Sequence, residues 1–121
     1  MSNAPILDFV LFYVSDLEES LKYFTETLGL EHDPTQDAPV FRGFVGSPIG
    51  LALANGTVSP EPRKPGDIEV YFKPDNLEEM HAALMAKGVP TSAIAHLPFG
   101  SIFRTPAPDG HLITLIHQSA Q

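Results

Sequence analysis

Phe9-Val-Leu-Phe-Tyr-Val14, then Ser15-Asp16-Leu17-Glu18-Glu19 and, further along, Leu28-Gly29-Leu30, is the stretch on which the fold turns, because the same order of features returns about half a chain later. The second copy reads Ile68-Glu-Val-Tyr-Phe-Lys73, then Asp75-Asn76-Leu77-Glu78-Glu79 and Lys87-Gly88-Val89. Asp16 and Gly29 are thirteen positions apart, as are Asp75 and Gly88. Self-similarity at this period implies two copies of one supersecondary unit. Each copy opens with a β-branched and aromatic run, the signature of a strand. An Asp follows where its side chain can cap a helix, with Glu19 and Glu78 three residues on from Asp16 and Asp75, in the manner of capping boxes. Leu17, Leu21, Phe24 and Leu28 recur at spacings of four, three and four and predict one apolar helix face. Leu77, Met80, Leu84 and Met85 predict the matching face of the second helix. Gly29 and Gly88 fall where a left-handed residue ends a helix.

Extended segments follow each helix. Val40 to Val45 and Ile49 to Ala54 read as strands joined by Gly46-Ser47-Pro48, while Asp33 to Pro39 reads as a loop. In the second half Thr91 to Ala95, Ser101 to Thr105 and His111 to His117 read as strands, the last two joined by a Pro108-Asp109-Gly110 turn. Asn55 to Gly66, rich in Pro and Gly, reads as a linker. The expectation is an α+β chain of two tandem βαβββ modules, about 5–55 and 67–118 within one domain of 5–118, with curved mixed sheets and helices outside.

Composition sets bounds on this reading. A chain of 121 residues suffices for one domain with a core. Seven basic against fifteen acidic residues give a formal charge of −8, which disfavours a nucleic-acid partner. No apolar run approaches the ~20 residues of a bilayer span, so no membrane partner is expected. Met1-Ser2-Asn3-Ala4 lacks the pattern of a secretory leader, and a cytoplasmic setting is expected. The absence of cysteine excludes disulfides, thiol catalysis and thiolate metal sites. No Gly-x-Ser-x-Gly elbow or phosphate-cradling glycine loop is present.

Val14-Ser15-Asp16-Leu17-Glu18-Glu19-Ser20, Tyr23-Phe24, Leu28-Gly29-Leu30 and Ala107-Pro108-Asp109-Gly110-His111, in that order, resemble the patterns of the glyoxalase/bleomycin resistance protein/dioxygenase (vicinal oxygen chelate) superfamily. Ala107 and His111 stand where that pattern has Asp and Asn. The resemblance implies the fold of dihydroxybiphenyl dioxygenase and its relatives, a small-molecule ligand and a homodimer. Metal-dependent members hold a divalent cation with four ligands, two per module. Those positions fall on Phe9, Ala52, Glu69 and Thr114. Phe9 and Ala52 cannot bind a metal and Thr114 is a poor ligand, which leaves Glu69 alone; a tight site needs about three protein ligands. No cofactor and no family-type metal centre are therefore expected.

Strand alternation turns Phe9, Leu11, Tyr13, Ala52, Glu69, Tyr71 and Thr114 toward the concave face, and Val10, Phe12, Val14, Ile68, Val70 and Phe72 toward the helices. Leu112 and Ile116 join the concave face. The result is an apolar, aromatic hollow suited to a small aromatic or cationic ligand, or else a filled interior. Glu69 is read either as a ligand contact or general base, or as an exposed or Arg42- or Arg104-paired carboxylate. His32 and His81 read as solvated, His96 as lying in a loop, His111 as following the turn and His117 as outward on the last strand; structural or surface roles are expected for all five. The functional expectation is metal-independent binding and sequestration resembling bleomycin-resistance proteins, with catalysis left open. The alternatives are a divalent-metal lyase, isomerase or dioxygenase with ligands from elsewhere, and a structural or regulatory subunit with a filled cleft.

Overall fold

The computed structural model describes residues 4–55 and 63–118, so most of the expected linker lies outside the described residues. Backbone proximity divides the chain into two units, Phe9–Ile68 and Met1–Asp8 with Glu69–Gln121. In the first, β1 (Ile6–Val14) runs parallel to β4 (Ile49–Leu53), with Val10 opposite Ile49 and Tyr13 opposite Ala52. Antiparallel to β4 lies β3 (Phe41–Phe44), and antiparallel to β3 lies β2 (His32–Ala38). A parallel connection between β1 and β4 requires a crossover, which helix α1 (Leu17–Lys22) begins. Asp16 caps α1 by accepting a hydrogen bond from the Glu19 N–H at 3.0 Å, as its sequence position requires. Leu17, Phe44 and Leu51 are buried together, with Phe12, Val14, Leu21 and Phe24 packed against them. Burying each such side chain contributes about 1.5–3 kcal/mol. The even positions of β1 therefore serve the helix layer.

The second unit repeats this plan. β5 (Ile68–Lys73) is parallel to β8 (Leu112–Gln118), β7 (Gly100–Pro106) is antiparallel to β8, and β6 (Ala95–Leu97) is antiparallel to β7. Helix α2 (Leu77–Ala86) packs Leu77, Met80 and Leu84 with Phe72, Phe103, Ile113 and Leu115. Gly110, at φ 89°, donates its N–H to the Ala107 carbonyl and closes the expected turn between β7 and β8. Asp8, assigned to this unit, accepts a 2.7 Å hydrogen bond from the Gln118 amide. Each unit is thus a βαβββ module with a mixed four-stranded sheet, the α+β fold that the duplication implies. Among the described residues no helix is long and apolar enough to cross a membrane.

Several local expectations need correction. The segment expected as a loop from Asp33 to Pro39 is largely strand β2, its pairing irregular between Asp33 and Ala38. Its composition hides it: Pro34 cannot donate to a ladder, and Asp33 engages Thr35 and Gln36 instead. Asn76, not Asp75, caps α2, accepting the Glu79 N–H at 2.9 Å. Cap and terminal glycine are then thirteen positions apart in the first unit and twelve in the second. The extra residue is taken up by a π-helical turn, Tyr23–Thr27, marked by the Leu28 N–H reaching back five residues to the Tyr23 carbonyl. That turn carries Leu28 off the apolar face, leaving it 54% exposed. Gly29 and Gly88, at φ 84° and 78°, end the two helices as expected, and Val89 N–H to Leu84 O completes a Schellman closure on α2. Met85 and Ile68 are exposed rather than packed on helix or sheet. The strand expected at Thr91 to Ala95 begins only at Ala95, because Ser92 instead bonds Arg104 through both its backbone N–H and its hydroxyl.

Candidate functional site

Alternation along β5 sends Glu69 and Tyr71 to the face opposite α2, and the register of β8 and β7 adds two partners. Tyr71 stands opposite Thr114 across β5 and β8, and Thr114 stands opposite Arg104 across β8 and β7. Glu69 is completely shielded from solvent, as is Thr114. A buried carboxylate is tolerable only when its charge is met. Arg104 meets it, its Nε donating to Glu69 Oε2 at 3.0 Å, and the Thr114 hydroxyl donates to the same oxygen. The Arg104 side chain is itself only 15% exposed, so the pair is little screened by water. Of the readings open for Glu69, the exposed carboxylate is excluded and the pairing with Arg104 is realised. Arg42 belongs elsewhere, bound to Glu18 at 2.9 Å.

In the other unit Leu11, Tyr13 and Ala52 are at most 2% exposed and Phe9 is half-buried. The Tyr13 backbone is fixed on both sides, donating to Asp67 O and accepting from the Gly66 N–H. Phe9 and Ala52 offer no donor atom to a cation. With Glu69 already holding a guanidinium and a hydroxyl, the side chains at the four family positions do not suit a divalent metal. Among the described residues, no three His, Asp or Glu side chains are gathered where they could hold a metal ion.

His111, after the turn, and His117, on β8, are exposed as expected, and the other three histidines depart from their expected settings. His32 Nε2 is hydrogen-bonded to Asp37 at 2.8 Å, and His81 bonds the Ser92 carbonyl while standing edge-on to Phe103. His96, expected in a loop, lies on β6 with its Nδ1 2.7 Å from Ser101 Oγ. His96 faces Ser101, and Ser101 faces His117 on β8, so the three form one row across adjacent strands. They line a half-open cavity of about 310 Å³ together with Asp75, Asn76, Leu77, Glu78 and Ile94. Sequence reasoning missed this row, although the two-residue Pro98-Phe99 turn carried the signal. A two-residue hairpin turn sets residues two places either side of it directly opposite each other.

No curated protein matches the sequence. Solved structures do. The chain superposes on the NAD-dependent benzaldehyde dehydrogenase from Legionella pneumophila with a TM-score of 0.73 and 24% identity, covering 92% of this chain and 98% of that one. Methylmalonyl-CoA epimerase from Mycobacterium tuberculosis gives 0.65 and 17%, over 99% and 93%. Catechol 2,3-dioxygenase gives 0.69 and 15%, over 98% of this chain but 40% of that one. At such identities the likeness establishes a shared fold. The sequence pattern of one family also matches residues 6–115, nearly the whole chain. The chain belongs to the Glyoxalase/Bleomycin resistance protein/Dioxygenase superfamily.

Proposed function

We propose that the chain is a metal-independent small-molecule-binding member of this superfamily, resembling its bleomycin-resistance branch and acting by sequestration, as a cytoplasmic homodimer. One observation carries the reading: Glu69, the only carboxylate at a family metal position, is fully buried, ion-paired with Arg104 and hydrogen-bonded by Thr114. Binding a cation there would require breaking a charge-assisted bond in a dry setting. The same pairing removes the anion that an organic cation would seek, so an aromatic ligand is favoured over a cationic one. The apolar sheet faces offer it Phe9, Leu11, Tyr13 and Ala52 in one unit, and Tyr71 and Thr114 beside Glu69 in the other.

The near-zero exposure of Leu11, Tyr13, Ala52 and Tyr71 favours a second reading, in which these faces are filled and the chain is a structural or regulatory subunit. Elemental mass spectrometry on protein purified without chelator or nickel resin, followed by thermal-shift titration with divalent cations, tests the common premise. The expected result is less than about a tenth of an ion per chain and no cation-induced shift. Near one tightly held ion per chain would overturn both readings and favour a metal-dependent lyase, isomerase or dioxygenase. A screen of aromatic compounds then separates the two: saturable stabilisation supports binding, and none supports the filled scaffold.

A further inference from the structure

The row His96–Ser101–His117 has no part in the site above, since it lies on the α2 side of the second unit's sheet. Ser101 alternates with Ile102 and shares the face of Phe103, while His117 shares that of Leu115; both Phe103 and Leu115 pack with α2. Ser101 is half-buried, and His96 and His117 are exposed, so the row reaches the surface. In the tautomer with hydrogen on Nε2, Ser101 donates to His96 Nδ1 across 2.7 Å, the contact that activates a serine for attack. His117 flanks the hydroxyl on the other strand. Immediately before Ser101 the chain passes through Gly100 at φ 147°, and a Cβ there would collide with the His117 carbonyl. Only glycine brings the strands this close, and the close approach fixes the level of Ser101 against His117. Leu77 and Ile94 supply the apolar part of the cavity wall, and Asp75 and Glu78 make the rest of it acidic.

We propose that Ser101, with His96 as general base, is an acyl-accepting nucleophile for small carboxylic esters. The Ser101 Oγ bonds to the ester carbonyl carbon as its proton passes to His96 Nδ1. The bond from that carbon to the leaving oxygen breaks, and His96 returns the proton to the departing alkoxide. Attack by water, deprotonated by the same imidazole, releases the carboxylic acid and restores the serine. The acyl group rests on Leu77 and Ile94, and the half-open cavity of about 310 Å³ has room for a short chain or a single ring.

The test uses the full chain with p-nitrophenyl acetate, following nitrophenolate release and locating the acetyl group by peptide mass mapping. One acetyl group on Ser101 is expected, with no acetylation there and no burst in Ser101→Ala. His96→Gln preserves a hydrogen-bond partner but cannot take the proton, and should slow acylation by about 10²-fold. Circular dichroism confirms that each variant is folded, and Ser101→Cys, which retains a nucleophile, should still acylate. Acetyl groups confined to lysines, or a burst of wild-type size in folded Ser101→Ala or His96→Gln, would overturn the assignment.

Discussion

Replacing Arg104 with Met isolates the worth of the buried pair. The substitution keeps most of the aliphatic volume but withdraws the guanidinium from Glu69, which is 0% exposed and bonded to Arg104 at 3.0 Å. Removing one partner of a buried pair leaves an uncompensated charge and costs about 3–5 kcal/mol. The geometry places this protein near that range, because the Glu69 carboxylate left behind is 0% exposed and cannot turn to water for compensation. Glu69→Leu combined with Arg104→Met removes both charges, and the double variant should recover most of the loss, since apolar replacement of a whole buried pair is often neutral or stabilising. Urea unfolding at neutral pH, followed by far-ultraviolet circular dichroism because the chain has no tryptophan, measures all three stabilities. The reasoning fails if Arg104→Met costs less than about 1 kcal/mol, the scale of a solvent-exposed pair. It fails equally if the double variant is no more stable than Arg104→Met alone.

Gly100→Ala should destabilise by at least about 2 kcal/mol in thermal melts, combining an unfavourable φ with a clash against backbone. Gly46→Ala, at φ 70° with nothing near its missing Cβ, should cost only about 1–2 kcal/mol. Asp16→Ala and Asn76→Ala each remove a helix cap and should cost about 1 kcal/mol, read from urea midpoints. Hydrogen bonds from the Thr35 side chain, then Gln36, hold the Asp33 carboxyl below its usual value of 3.8. A depressed folded value means that the stabilisation is present above that usual value and lost as pH falls through the lower one. Asp33→Asn should therefore flatten the acid limb of the stability curve below about pH 4, and carboxyl resonances should show Asp33 titrating below free aspartate.

The duplicated plan was legible because it rests on local chemistry: caps at Asp16, glycines at Gly29 and Gly88, and a period of two along β1. Alternation correctly sent Phe12 and Val14 to the helix cluster and Leu11 and Tyr13 to the other buried face. Strand β2 was not legible because its pairing is imposed by β3 and its side chains are polar turn formers. Asp75 was mistaken for the cap because the two copies were assumed equal in length. Of the candidate site, Glu69 stood out by type, but its state depended on register across three strands. The His96–Ser101 contact was hidden for the same reason, since a hydrogen bond across a hairpin leaves no motif in linear order.

The π-helical turn at Tyr23–Thr27 bears on how the two halves can diverge. In a regular α-helix each added residue rotates everything beyond it by about 100°, enough to swing an apolar stripe into water. Here the wider turn absorbs one residue before Gly29, while Leu17, Leu21 and Phe24 stay in the core. Thr25 also caps the loosened ladder, its hydroxyl donating to the Leu21 carbonyl at 2.9 Å. The first helix therefore contains a built-in tolerance for length change that the second lacks. A one-residue deletion within Tyr23–Thr27 is a step toward the symmetry of the two copies, whereas the same deletion inside Leu77–Ala86 would turn Met80 and Leu84 out of register with the sheet beneath them.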